Sequence, residues 1–164
     1  MPTQKQNDGF LLVFIIASAA LLLKIIFAFI TYGTNDIVSW FCYAKIIKEF
    51  DSFTIYSLIE PYNHPPLVSW VIYILLRISE NTFLPFTFLF KLFPVFADYA
   101  SIFVIWQLLK KSKIKNKIFI CAVCSFNPIN FLISGFHGNI DPVFIFFIVC
   151  AVYYIDREKI FLAG

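Results

Sequence analysis

Long apolar runs separated by short polar breaks dominate the chain. The first extends from about Phe10 to Ile30, interrupted only by Lys24. It supplies the ~20 residues that a bilayer crossing requires. Later runs predict crossings near 83–109, 118–136 and 142–158, with another starting at 160, and the first crossing is taken as 10–32. A cleaved signal peptide has a shorter apolar core, and Ala17 to Ala20 lie too early in the run for a cleavage site, so this segment reads as a retained anchor. KKSKIKNK, residues 110–117, is the densest basic cluster and is predicted to be cytoplasmic, with DREK, 156–159, on the same side. Parity then places the amino terminus inside, and the 33–82 loop and the HGNID turn outside.

Within that outer loop the period changes. IVSWFCYAKIIKEF puts Ile37, Trp40, Phe41, Ala44 and Ile47 on one helical stripe, as an amphipathic helix lying on the membrane face would. Asp36 stands just before it in the position of an N-cap. LVSWVIYILL, residues 67–76, is too short to cross comfortably and predicts a re-entrant or interfacial helix continuing into the next span. An extra short crossing there would export KKSKIKNK against the charge rule. The expected fold is all-α: one polytopic transmembrane helical bundle over 1–164, with interfacial or re-entrant helices in its first outer loop.

Composition agrees with the pattern. The chain is 60% hydrophobic with 22 Phe, only 14% charged and has a mean hydropathy of +0.82, which excludes a soluble globular domain. A formal charge of +3 without basic residues interleaved among aromatics excludes a nucleic-acid partner. Cys42, Cys121, Cys124 and Cys150 read as free thiols. The Cys121-x-x-Cys124 spacing lacks the polar surroundings and second ligand pair that zinc or redox chemistry needs.

Polar groups at membrane depth each need a partner, a wet cavity or a function. Lys24 is expected to snorkel to the interface. Asp36 is both a cap and a candidate general base. His64, in NHPPL, has an interfacial reading and a ligand-binding one, whereas the two prolines shape a helix entry. Lys91 and Asp98 are seven residues apart on one helical face. That is ~10 Å along the axis, too far for a direct pair. They either stabilise the bundle or wall a cavity for an anionic ligand. Asn139 and Gly138 supply a turn, and Asp141 precedes a helix-opening Pro142, but His137 and Asp141 add titratable groups that turning does not require.

In order and spacing, these pieces resemble the start of a GT-C class membrane glycosyltransferase, a group that uses polyprenyl-phosphate sugars. The likeness is strongest to the catalytic subunits of glycosylphosphatidylinositol mannosyltransferase I and their bacterial relatives. It runs through TYGTNDIVSW, NHPPLVSW, KLFPVFAD and FNPINFLISGFHGNID. The resemblance implies that Asp36 is the catalytic base and that His64, Lys91, Asp98, His137, Asn139 and Asp141 bind substrate. Thr34 stands where the eukaryotic relatives carry the first aspartate of an Asp-x-Asp pair. Such enzymes usually have eight or more crossings, so the chain is expected to be an amino-terminal portion and inactive alone.

The expected activity is hexosyl, in particular mannosyl, transfer from a polyprenyl-phosphate donor to the hydroxyl of a glycan, lipid or protein acceptor. The expected location is the extracytoplasmic face of a bacterial plasma membrane. No cofactor is required. A divalent metal is possible only if the fold brings His64, His137, Asp36 and Asp141 together. The alternative is a non-catalytic transporter-like or assembly subunit, whose charges would lie midway through several spans.

Overall fold

The computed structural model describes the backbone of residues 4–162 and the side chains of 9–159, 161 and 162. The described residues form α1 (Gln4–Ile30), α2 (Asn35–Glu49), α3 (Ile55–Leu58), α4 (Pro66–Asn81), α5 (Phe86–Lys111), α6 (Lys117–Ser125), α7 (Pro128–Asn130), a π-helical segment (Phe131–His137) and α8 (Asp141–Asp156). A 3₁₀ turn follows at Ile160–Leu162, and the remainder of the crossing expected from 160 lies outside the described residues. Among the described residues Gly9–Ile30, Phe86–Lys111 and Lys117–His137 are long and apolar enough to cross a membrane. The chain is a helical membrane bundle.

The spine is an antiparallel pair, α1 on α5. Along it Gly9 meets Trp106, Phe14 meets Phe103, Ser18 hydrogen-bonds Tyr99, Lys24 meets Asp98 and Phe29 meets Phe88. Val13, Ala17, Ala20, Lys24 and Ala28 form the buried stripe of α1 at three- and four-residue spacing. Small residues on that stripe let the backbones approach closely, the usual basis of helix association where lipid supplies no hydrophobic drive. α8 packs beside α5 and runs in the same direction, so that Lys111 pairs with Asp156 at 3.1 Å at the end that carries the lysine cluster.

The span Lys117–His137 is broken rather than continuous. Asn127 accepts a hydrogen bond from the Ile129 N–H at 3.0 Å, Pro128 opens α7, and the helix then widens into the π-helical segment. Gly135 lets this segment rest on α1, where a Cβ would sit 3.3 Å from the Phe27 ring.

At the opposite end from the lysines, α2 and α4 pack on the start of α5. Ile37, Trp40, Ala44 and Ile47 are buried as the periodicity predicts, against Ile72, Leu76, Phe86 and Phe90, with Phe41 partly buried at the edge. Leu67, Trp70, Ile74 and Ile78 form an exposed apolar stripe on α4 that suits lipid contact. α4 is longer than expected and does not continue into the next span. The Asn81 and Thr82 side chains turn back to the Arg77 and Ile78 carbonyls, and Pro85 precedes the fresh helix α5.

Candidate functional site

Two distant parts of the sequence meet at the end of the bundle away from the lysines. A short strap, residues 31–34, leaves α1 and enters α2, and the π-helical segment delivers His137 to the same place. His137 Nδ1 lies 3.2 Å from Asp36 Oδ2 and 3.1 Å from the Thr34 hydroxyl. The hydrogen bond of this ring nitrogen is with the Thr34 hydroxyl, the donor depending on the tautomer, and the Asp36 carboxylate stands beside it at ion-pair distance. The Thr34 hydroxyl also donates to the His137 carbonyl oxygen at 3.4 Å. Both ionisable side chains stay open to the exterior, with 43% and 54% of their surface exposed.

The local backbone explains why the two segments fit. Gly33 and Gly138 both have positive φ, +109° and +70°. A Cβ on either would run into Ile37, and one on Gly33 would also meet the Phe136 carbonyl. Glycine is required at both positions. The π-helical widening ends at His137, and Gly138 closes it in the left-handed conformation. Single π turns of this kind are common at functional sites.

Asp36 is not the cap of α2. Thr34 holds the N-cap position, without a side-chain capping bond, and Asp36 sits in the first turn with its carboxylate on His137. There it also faces the positive end of the helix dipole. Asn139 Oδ1 accepts from the Asp141 N–H at 3.2 Å and so braces the entry to α8, while Ile140 is buried in the α2–α4 core. Asp141 is exposed, and among the described residues it joins no ion pair.

His64 lies elsewhere on the same end. Its ring sits 4.4 Å from Trp40 and 5.3 Å from Tyr62, centroid to centroid, and Tyr56 donates to its carbonyl. Burial pushes its imidazole below the ordinary 6.5. Unfolded chain therefore takes up a proton before folded chain does. The stability contributed by this packing is complete above pH 6.5 and is lost as pH falls through the lower folded value. Protection of the α2–α4 amides, taken relative to the intrinsic exchange rate at each pH, should fall on acidification below that pH. His64→Phe should flatten the dependence, and an unchanged acid response in that variant would assign it to another group.

Lys91 and Asp98 do not wall one cavity. Lys91 is fully buried and its ammonium donates to Thr31 O at 2.6 Å, Thr31 Oγ1 at 3.1 Å and Ala28 O at 3.4 Å, at the carboxyl end of α1. Asp98 accepts from Lys24 at 3.0 Å, with side chains only 10% and 5% exposed. Lys24 thus points into the bundle instead of snorkelling. Its place on the small-residue stripe of α1 is the sequence signal for this. Thr34 was legible only as a departure from the Asp-x-Asp pattern, yet it joins the two segments.

Among the described residues no three His, Cys, Asp or Glu side chains converge. The cysteines are unpaired thiols among the described residues. An apolar groove of about 470 Å³ runs between α4, α5 and α8, lined by Val68, Val71, Phe93, Phe96, Val143 and Phe147 among others. Pro65 and Ile140 border it, next in sequence to His64 and to Asn139 and Asp141.

No protein-family model matches the chain, and no solved structure matches it. A likeness to a curated protein agrees with the motif resemblance. Over 106 residues, 64% of its length, the chain is 27% identical to GPI mannosyltransferase 1 of Kluyveromyces lactis, and it spans 25% of that protein.

Proposed function

We propose that this chain contributes the acceptor-activating part of a membrane glycosyltransferase, with Asp36 as general base, acting on a polyprenyl-phosphate sugar, in particular a mannosyl donor. The observation that carries the reading is the Asp36–His137 pair, built from segments about a hundred residues apart and left open at one end of the bundle. The likeness to GPI mannosyltransferase 1 supports the reaction class. The lysine cluster at the opposite end supports an extracytoplasmic location for the pair.

In this reaction the acceptor hydroxyl gives its proton to Asp36 as its oxygen bonds the anomeric carbon. The bond from that carbon to the phosphate oxygen breaks, and the lipid phosphate leaves with the electron pair. A phosphate is a good leaving group, so the protein supplies positioning and one base, the latter worth about 10²- to 10⁴-fold. His137 stands 3.2 Å from one carboxylate oxygen, and the other is left for the acceptor. The apolar groove beside α4, α5 and α8 supports a lipid-borne donor.

A second reading has a specific geometric basis. A neutral His137 with its proton on Nδ1, beside the Asp36 carboxylate, has Nε2 as an acceptor, so the histidine would be the base and Asp36 its orienter. The test of the reaction is sugar transfer from radiolabelled polyprenyl-phosphate mannose by membranes of cells expressing the full reading frame that encodes this chain. Labelled product is the expected result. No transfer from any polyprenyl-phosphate sugar would leave the transporter-like or assembly role in its place.

A further inference from the structure

We infer that Lys91 is a positioning residue, which sets the 31–34 strap and through it the geometry of the Asp36–His137 pair. The inference rests on the reading of that pair as the catalytic centre. An ammonium has three N–H donors. Those of Lys91 meet Thr31 O, Thr31 Oγ1 and Ala28 O, so none is left for a ligand phosphate. The side chain is also fully buried. Its charge lies where the last carbonyls of α1 lack helical partners and where the helix dipole favours a cation.

The rest of the side chain matters as much as the head. A Cβ at Gly33 would lie 3.2 Å from Lys91 Cε, and one at Gly138 would lie 3.4 Å from Lys91 Cγ. The lysine stem is therefore a common floor beneath the two glycines that bring the strap and the His137 turn together. The ammonium grips Thr31 at the first residue of the strap. Thr34, three residues on, bonds His137. Freeing Thr31 lets the strap shift, and a shift of about 1 Å at a reacting centre costs on the order of 10²-fold in rate.

Lys91→Met keeps the stem and removes the grip. Measured per folded protein, the variant should lose about 10²-fold in kcat while KM for the polyprenyl-phosphate sugar stays unchanged. A phosphate-binding lysine would instead raise donor KM, and that result would overturn the inference. A second readout needs no activity. In a background lacking the native cysteines, a short bifunctional thiol reagent should link Thr34→Cys to His137→Cys quickly, and adding Lys91→Met should slow the linking several-fold.

Linking at an unchanged rate overturns the inference whether or not the protein transfers sugar. Absence of transfer with linking that depends on Lys91 removes the proposed reaction and keeps the positioning role. If Lys91→Met fails to fold, Thr31→Val takes its place, because it removes one of the contacts of the ammonium with the strap while two carbonyls still satisfy the buried charge. That variant should likewise lose kcat at constant donor KM, and wild-type kcat in it would overturn the inference.

Discussion

Asp36→Asn is expected to cut sugar transfer by about 10²- to 10⁴-fold, with protein level and donor KM unchanged. Asparagine keeps the size of the side chain and an oxygen beside His137 Nδ1, and the bond of that nitrogen to Thr34 is untouched, so the geometry of the pair survives. What disappears is the ability to take up a proton. The structural cost is small, since the carboxylate is half exposed and makes no capping bond on α2. Loss of its charge at a helix start costs about 0.3–1 kcal/mol.

The same assay separates the two candidate bases. If Asp36 takes the proton, His137→Gln removes only an orienting contact and should be the milder change, on the order of 10-fold in kcat. If His137 takes it, the order reverses, and Asp36→Asn acts by releasing the ring. Full activity in Asp36→Asn at wild-type protein level would remove the carboxylate from the mechanism altogether.

The elements were largely legible in the sequence, because each is set by local periodicity and by punctuation from proline and glycine. The stripe Ile37, Trp40, Ala44 and Ile47 is buried as spaced, and three of the four predicted crossings, 10–32, 83–109 and 118–136, coincide with the candidate spans, whereas the fourth, 142–158, forms α8, which at 16 residues is shorter than those spans. The pairing of polar groups was not legible, because it depends on which helices touch. Lys91 and Asp98 share a face of α5 as their spacing predicts, but their partners come from α1, whose own stripe carries Lys24 among alanines. Asp36 and His137 were each singled out by residue type. Their meeting depended on a π-helical widening and two left-handed glycines, for which alternating apolar and polar positions give no signal.

The largest effect on stability is expected at Asp98. Asp98→Leu should destabilise the bundle by about 3–5 kcal/mol, because removal of one member of a buried ion pair strands the other charge. Lys24 lies ~9 Å along α1 from the helix end at Ile30. Its side chain is only 5% exposed. The void beside it, lined by Ser125, Asn130 and Tyr99 among others, is about 10 Å³. That is at the lower limit for a single water, so hydration cannot replace the carboxylate without rearrangement. Lys24→Met combined with Asp98→Leu removes both charges and should restore most of the lost stability, since an apolar pair of similar volume is often neutral or better. Thermal unfolding of the purified protein in detergent distinguishes the outcomes. A double variant as unstable as Asp98→Leu would mean that packing of the aspartate, rather than its charge, is what α1 and α5 share. A single variant as stable as wild type would mean that Lys24 reaches the interface once released, as its position in an otherwise apolar run suggests.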